Sequence, residues 1–188
     1  MPATKRVFLG IDLPPELKAK IEELKKTNEL ANLPLKLVEP QNSHLAVKFL
    51  DDLTDEQIET VCLKLAAAIK QWRPVEIAIG NSTVFPEQLY PKVLVLKASG
   101  QDFQKIGERI IKELETLPFV KKEKRSYTPH ITLGRIKSVL TESEKNKILN
   151  LKFEAKINIG KLQLFESKLT AKGPIYKIIK EFKIINID

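Results

Sequence analysis

Two short stretches that look like copies of each other decide the fold: SHLAVKFL at residues 43–50 and PHITLGRI at residues 129–136. Each carries a histidine in second place, and these two histidines are the only ones in the chain, 86 residues apart (130 − 44). The pattern predicts that each stretch is a β-strand. Each strand precedes a helix that begins at a threonine, Thr54 or Thr141, with the Gln or Glu of a capping box three residues later. The sequence therefore predicts two similar halves, each with one histidine strand.

The two histidines are predicted to lie on faces that the apolar pattern leaves free. Successive side chains of a strand point to opposite faces, so residues two apart share a face. The first strand has an apolar face of Leu45, Val47 and Phe49 and an opposite face of His44, Ala46 and Lys48. The second strand has an apolar face of Ile131 and Leu133 and an opposite face of His130 and Thr132. We expect the apolar faces to pack on helices and both imidazoles to face one cleft.

The order of the predicted elements is β-α-β-β-α-β-β-α-β-α-β-β. Adjacent strands joined by short loops imply antiparallel pairing, which indicates the α+β fold class. The sequence has no low-complexity segment and no flexible linker. We therefore expect residues 1–188 to form a single domain.

Composition excludes several classes of protein. The 188 residues carry a net charge of +8 and a sequence pI of about 9.4, which favours an anionic partner. One cysteine, Cys62, excludes a disulfide framework and a cysteine zinc site, and two histidines exclude a histidine-rich metal site. The glycine-rich motifs that cradle nucleotide phosphates are missing. No apolar run is long enough for a signal peptide or a spanning helix, so we expect no membrane association and a cytoplasmic location.

Two imidazoles that face one cleft suit displacement at phosphorus. Near pH 7 one histidine can be neutral and accept a proton while the other is charged and donates one. A hydroxyl such as that of Thr132, with cations such as Lys48 or Arg135, can hold an anionic phosphoryl oxygen. Two other interpretations stay open at this point: two histidines can share a zinc ion, although no third ligand has recognisable spacing, and the same groups can bind an anion without catalysis.

The segments around the two histidines, together with both ends of the chain, resemble a known family. The motif at residues 130–133, HITL, matches H-x-[ST]-x in full, whereas HLAV at residues 44–47 has the histidine and lacks the hydroxyl residue. Further similar segments are residues 6–14, 40–42, 48–50, 85–86, 91–94, 127–129, 164–169 and 173–176. The chain resembles the 2H phosphoesterase superfamily, and within it the archaeal and bacterial RNA 2',3'-cyclic phosphodiesterases, also called 2'-5' RNA ligases.

The resemblance implies a fold and a reaction. The fold is two pseudo-symmetric lobes, each an antiparallel sheet with helices packed outside, and an active-site cleft between them. The reaction opens a 2',3'-cyclic phosphate at an RNA 3' end and leaves a 2'-phosphate, and the resemblance also allows reversible 2'-5' RNA ligation. His130 is implied as the proton acceptor, His44 as the proton donor and Thr132 as a donor to a non-bridging oxygen. The implied partner is RNA; no metal, cofactor or obligate protein partner is implied, and we expect a monomer.

Four further residues are predicted with less support. Lys48 shares the face of His44 and can contact the phosphate. Arg135 breaks the alternation with His130, so it reaches the phosphate only if the strand twists or bulges. Tyr127 can stack on a base or pack in the interior. Ala46 occupies the motif position that lacks the hydroxyl.

Two alternatives to this activity remain. The first is a non-catalytic or weakly active RNA-binding module of the same fold, which the missing hydroxyl at Ala46 favours. The second is a 2H phosphodiesterase that acts on another small substrate.

Overall fold

The structure is a computed structural model that describes residues 3–87, 89–171 and 173–184. It contains nine strands and four α-helices among these residues. The strands are β1 (Lys5–Asp12), β2 (Leu35–Leu37), β3 (His44–Leu53), β4 (Val75–Phe85), β5 (Val93–Ser99), β6 (His130–Ile136), β7 (Ala155–Ile159), β8 (Lys161–Thr170) and β9 (Gly173–Lys183). The helices are α1 (Pro15–Thr27), α2 (Asp55–Ala68), α3 (Gln101–Leu114) and α4 (Glu142–Leu149).

The helices that follow the histidine strands begin as the sequence predicts. At the start of α2, the Thr54 side chain accepts from the Gln57 backbone N–H, and the Gln57 side chain accepts from the Thr54 N–H. Thr141 and Glu144 form the same reciprocal pair at the start of α4. Each box satisfies backbone donors that the first helical turn leaves unpaired, which fixes the helix start next to the histidine strand.

All strands belong to one antiparallel sheet whose order is β7-β4-β5-β6-β3-β1-β8-β9, with β2 added on β6. The two histidine strands, β6 and β3, lie at its centre and meet at the pair Leu45–Ile131. Leaving aside β2, four strands lie on each side of this junction, with the histidine strand innermost on both. The α+β class, the antiparallel pairing and the two halves predicted from the sequence are confirmed.

The helices cover one face of the sheet. Apolar residues of all four helices, such as Leu17, Val61, Phe103 and Ile148, join one core cluster with the inward side chains of the strands. Phe8, Val95 and Phe165 are buried as well but lie outside this cluster. Each of them alternates with core residues along its strand, so they line the opposite face. That face forms the floor of the cleft, where Phe8 stacks on Phe165 with ring centroids 4.8 Å apart.

Each histidine strand contains a β-bulge at the fourth position of its motif. In β3, Ala46 and Lys48 pair with the adjacent residues Gly10 and Leu9, which leaves Val47 as the extra residue. In β6, Thr132 and Gly134 pair with Val95 and Leu94, which leaves Leu133 as the extra residue. A bulge shifts the alternation of side chains by one, so the residues beyond it change face.

Within the part of the chain that the structure describes, no helix is both long enough and apolar enough to cross a membrane.

Candidate active site

The two histidines are held by the same local device. His44 Nδ1 lies 2.7 Å from the carbonyl oxygen of Asn42, and His130 Nδ1 lies 2.8 Å from that of Thr128. In both cases the carbonyl belongs to the residue two positions earlier. Because a carbonyl oxygen only accepts, Nδ1 carries the proton in each ring and Nε2 is left for other chemistry. A neutral ring in this tautomer accepts a proton at Nε2, and a charged ring donates one there.

The strand register brings the two motifs together on the cleft face. Leu45 pairs with Ile131 in the antiparallel junction. Continuing that register by one residue on either side sets His44 next to Thr132 and Ala46 next to His130. These four residues alternate with the buried pair, so they share the face opposite the helices. The sequence prediction that both histidines lie on one face is in agreement with this register.

Aromatic rings surround His44 more closely than His130. The ring centroid of His44 lies 4.8 Å from that of Phe8 and 5.1 Å from that of Tyr176, which it meets edge to face. His130 meets Phe85 edge to face at 5.0 Å. The first histidine therefore sits in an apolar wall built from β1 and β9, and the second stands beside the end of β4.

This environment changes the acidity of His44. Burial lowers the pKa of His44 from its ordinary 6.5, and the positive charge of His130 acts in the same direction. The hydrogen bond to Asn42 and the carboxylate of Asp12 oppose this effect without cancelling it. The neutral form of His44 therefore prevails near pH 7 in the free protein.

The structure contradicts the prediction that Lys48 contacts the phosphate. The bulge at Val47 turns Lys48 away from the cleft, and only 1% of its side chain is exposed. Its Nζ donates to Glu115 Oε1 at 2.9 Å, to Glu123 Oε1 at 3.0 Å and to the carbonyl oxygen of Lys121 at 2.7 Å. Lys48 thus ties β3 to the end of α3 and to the charged segment behind it, and its charge is already paired.

The same bulge corrects the placement of Phe49. Uninterrupted alternation puts Phe49 on the helix-packed face with Leu45 and Val47. The structure leaves it 59% exposed, with its ring centroid 5.6 Å from that of Phe8. Phe49 therefore takes the cleft-side place that simple alternation gives to Lys48.

The bulge at Leu133 has the opposite consequence for Arg135. It returns Arg135 to the face of His130, the condition under which the sequence places this residue in the cleft. Arg135 is exposed. Burial raises the pKa of Tyr176, and the charges of Arg135 and Arg6 oppose this effect.

Tyr127 packs in the interior, so the alternative prediction that it stacks on a base is wrong. Its ring packs so closely on Gly107 of α3 that a Cβ atom there would lie 2.3 Å from it, and it meets Phe103 edge to face. Its hydroxyl donates to the carbonyl oxygen of Ala46 at 3.1 Å. Burial raises the pKa of Tyr127, which keeps the phenol protonated and able to donate. This residue links the strand of the first motif to the segment that leads into the second.

Sequence reasoning missed the β8–β9 hairpin as a wall of the site. Phe165, Tyr176 and Ile178 from this hairpin line a cavity beside His44, together with Asn42. The Asn42 amide nitrogen donates to the carbonyl oxygen of Pro174 at 2.8 Å, which fixes the hairpin tip against the histidine strand. No local sequence pattern predicts this contact, because it joins residues 132 positions apart.

No group of three or more His, Cys, Asp or Glu side chains within residues 3–87, 89–171 and 173–184 is arranged to hold a metal ion.

Comparison with known proteins decides the family. The model of the 2'-5' RNA ligase superfamily matches residues 13–170. The chain belongs to this superfamily. It is 33% identical over 184 residues to the RNA 2',3'-cyclic phosphodiesterase of Methanocaldococcus jannaschii, covering 94% of this chain and 99% of that protein. The corresponding protein of Aquifex aeolicus is 29% identical over 182 residues, covering 94% of this chain and 96% of that one.

Two solved structures share the fold. TT0787 of Thermus thermophilus superposes with a TM-score of 0.82 at 23% identity, covering 95% of this chain and 97% of that one. E. coli LigT complexed with 3'-AMP superposes with a TM-score of 0.79 at 17% identity, covering 97% and 99%. The resemblance to 2H phosphoesterases that the two histidine motifs indicate is therefore confirmed, as is the fold class.

Proposed function

We propose that this protein hydrolyses 2',3'-cyclic phosphate ends of RNA to 2'-phosphate ends. The names of the curated relatives support this activity. The observation that carries the proposal is the matched pair of imidazoles: each Nδ1 is engaged by a carbonyl, so both Nε2 atoms are free for proton transfer on one face. A pair of this kind can remove a proton on one side of phosphorus and supply one on the other.

The proposed step transfers two protons. His130 Nε2 takes a proton from water as the water oxygen bonds to phosphorus. The bond between phosphorus and the 3' oxygen breaks, and protonated His44 gives its Nε2 proton to that oxygen. The products are a 2'-phosphate and a free 3' hydroxyl, and proton exchange with solvent resets both rings. When a 5' hydroxyl of another RNA end replaces water, the same step forms a 2'-5' linkage, and the two histidines exchange roles when that linkage is cleaved back to the cyclic phosphate.

His44 must be charged to act as the donor. Burial lowers the pKa of His44, so the free protein favours the neutral ring. A bound phosphodiester carries one negative charge, and a nearby negative charge favours the protonated imidazole. Substrate binding and protonation of His44 are therefore coupled in this mechanism.

Thr132 and Arg135 are the proposed phosphate contacts. Thr132 precedes the bulge at Leu133 and Arg135 follows it, and both lie on the face of His130. The hydroxyl of one and the guanidinium of the other can each donate a hydrogen bond to a phosphoryl oxygen. Ala46 has no donor to offer at the equivalent position of the other strand. Lys48 is excluded from this role by its ion pairs with Glu115 and Glu123.

The proposal includes a cellular setting. Residues 1–188 act as one bilobal unit and as a monomer, on RNA, in the cytoplasm, and without a metal or cofactor. The net charge of +8 supports an anionic substrate such as RNA.

The decisive experiment identifies the product. EDTA-treated protein is incubated with a nucleoside 2',3'-cyclic phosphate, and the product is identified as the 2' or the 3' isomer. We expect turnover in EDTA and the 2'-phosphate isomer only. A requirement for a divalent ion, or a 3'-phosphate product, contradicts the mechanism.

Substitution of the histidines tests the pair. His44→Ala and His130→Ala should each remove most turnover, and the double variant should lose little more, because the two groups act as one unit. A substrate with sulfur in place of the 3' bridging oxygen separates the roles, since a thiolate leaves without a proton. This substrate should restore turnover to His44→Ala and not to His130→Ala.

One observation favours a second candidate function. Ala46 leaves one half of the cleft without a hydroxyl, as expected of a non-catalytic RNA-binding module. That candidate predicts RNA binding with no turnover in either the natural protein or Ala46→Thr.

A further inference from the structure

A cavity beside His44 is lined by apolar residues on one side and by polar residues on the other. The space that water can occupy inside it is about 90 Å³, and its mouth is open to solvent. Phe165, Tyr176 and Ile178 form an apolar side, and Asp12, Asn42 and Ser43 form a polar side. Sites that bind small organic groups combine apolar walls with a few placed polar atoms in this way.

The apolar side is built by the β8–β9 hairpin. Ile178 pairs with Phe165 across the hairpin and is 44% exposed, whereas most apolar side chains of the described chain are buried. The Tyr176 ring lies nearly perpendicular to the His44 ring at a centroid distance of 5.1 Å, so the phenol ring is held against the histidine. A fixed aromatic ring with an exposed aliphatic neighbour is a surface on which a planar base can stack.

The polar side contains atoms without partners. Ser43 is 1% exposed, and its Oγ has no hydrogen-bond partner among residues 3–87, 89–171 and 173–184. Buried hydroxyls rarely stay unpaired, so this atom is suited to a ligand or to water that a ligand displaces. Asn42 donates its amide hydrogen to Pro174 and keeps Oδ1 as an acceptor. Asp12 accepts from Lys18 with one oxygen and retains a second. Acceptors and a hydroxyl at one rim match the mixed donors and acceptors of a base edge.

We propose that this cavity binds the terminal nucleobase of a nucleoside 2',3'-cyclic phosphate, with Tyr176 as its stacking surface. This inference rests on the proposed function. It also orients the substrate, because the nucleoside then lies on the His44 side of phosphorus. The 3' oxygen leaves toward His44, and water approaches from the more open side of His130, where Lys97 pairs with His130 across the sheet and Arg135 is exposed. The base cavity therefore makes His44 the proton donor and His130 the acceptor.

The test compares two substrates that differ only in the base. These are adenosine 2',3'-cyclic phosphate and 1,4-anhydroribitol 2,3-cyclic phosphate, which has the same ring and no base. We expect the natural protein to prefer the first in kcat/KM, and Tyr176→Ala to reduce this preference by about 5- to 150-fold, the range that loss of one base–aromatic stack gives. Tyr176→Phe keeps the ring and should keep the preference. Leu169→Ala, on the same hairpin and 71% exposed, is the matched control and should keep it as well.

Each result decides the question. A natural protein with no preference for the base, or a preference unchanged in Tyr176→Ala, overturns the proposal. If Tyr176→Ala does not fold, Ile178→Ala at its half-exposed position takes its place with the same expected direction. If the natural protein turns over neither substrate, the proposed function fails, and the cavity is tested by calorimetry instead. Adenosine 2'-monophosphate should then bind more tightly than 1,4-anhydroribitol 2-phosphate, and Tyr176→Ala should remove the difference; equal binding by the natural protein refutes the base cavity.

Discussion

Replacing Ala46 with threonine tests how the two halves share the phosphate. Ala46 lies next to His130 at the junction, in the same relation that Thr132 has to His44. Its backbone is fixed from two sides, by pairing with Gly10 and by the hydrogen bond from the Tyr127 hydroxyl. A β-branched residue suits a strand, so Ala46→Thr should leave the fold intact. The change adds one hydroxyl donor on the cleft face.

The size of the effect follows from what that donor would contact. A hydrogen bond to a charged group contributes about 1.5–3 kcal/mol. If the bond forms fully in the transition state, kcat/KM rises by about 10- to 150-fold at 1.36 kcal/mol per decade. The natural protein is accordingly expected to be a slow but genuine enzyme, since both histidines remain in place.

The assay measures kcat/KM on a nucleoside 2',3'-cyclic phosphate for the natural protein and three variants, Ala46→Thr, Ala46→Val and Thr132→Val. Ala46→Val is the matched control, because valine has the shape of threonine without the hydroxyl. We expect Ala46→Thr to be faster than both Ala46→Val and the natural protein. Thr132→Val, the equivalent change in the other half, should lose activity by a similar factor. If Ala46→Thr is no faster than Ala46→Val, the phosphate takes no hydrogen bond at this position and the reasoning from pseudo-symmetry is wrong.

Three further predictions concern the surroundings of the site. Lys48→Met should lower the free energy of unfolding by about 3 kcal/mol, because it leaves Glu115 without its buried partner, and KM for the cyclic phosphate should stay unchanged. Urea unfolding and steady-state kinetics measure the two quantities. A raised KM with unchanged stability would mean that Lys48 contacts the phosphate. Tyr127→Phe should cost about 1 kcal/mol of stability through loss of the bond to Ala46 and leave any preference for a base unaltered, which urea unfolding and the two-substrate comparison measure. The free energy of unfolding should fall as the pH drops below 6.5, because His44 takes up its proton at this pH in the unfolded chain and, with its lowered pKa, only at lower pH in the folded protein. In a plot of the free energy of unfolding against pH, His44→Gln should lack the slope that His44 contributes. Identical slopes for the two proteins would show that His44 does not titrate in that window.

The sequence predicts the location of the site because the two motifs are local. His44 and His130 occupy equal places in similar strands, and a strand has only two faces, so the apolar pattern suffices to select the cleft face. The capping boxes at Thr54 and Thr141 likewise depend on residues three positions apart, and both form as predicted. Features of this range can be inferred from one sequence.

The errors begin where the alternation is interrupted. Counting by two is valid only along an uninterrupted ladder, and both histidine strands bulge at the fourth motif position. Lys48 is therefore lost from the cleft, and Phe49 takes the place predicted for it. Arg135 lies on the cleft face, whereas simple alternation places it on the opposite face. A bulge depends on how neighbouring strands pair, so no residue within the motif announces it.

The aromatic wall is beyond sequence reasoning for a related reason. Tyr176 reaches His44 only because β9 pairs with β8 and Asn42 binds the hairpin tip at Pro174. These contacts join distant parts of the chain, and an aromatic residue in a strand is equally typical of a core. Tyr127 shows the converse, since its position near a motif suggests a base contact while its ring packs on Gly107.

The two bulges also show how one backbone device supports two different chemistries. Each strand holds its histidine through the carbonyl two residues earlier and bulges three residues later, so the residues at the second and fifth positions after each histidine face the cleft. In the His130 half these residues are Thr132 and Arg135, which are donors for an anion. In the His44 half they are Ala46 and Phe49, which are apolar, and the β8–β9 hairpin adds further apolar surface beside them. This asymmetry supports the proposal that the His130 half holds the phosphate and the His44 half holds the nucleoside. It follows that a hydroxyl at position 46 would add a phosphate contact from the His44 half to a site whose phosphate contacts come from the His130 half. The increase in kcat/KM of Ala46→Thr then measures how much this added contact stabilises the transition state.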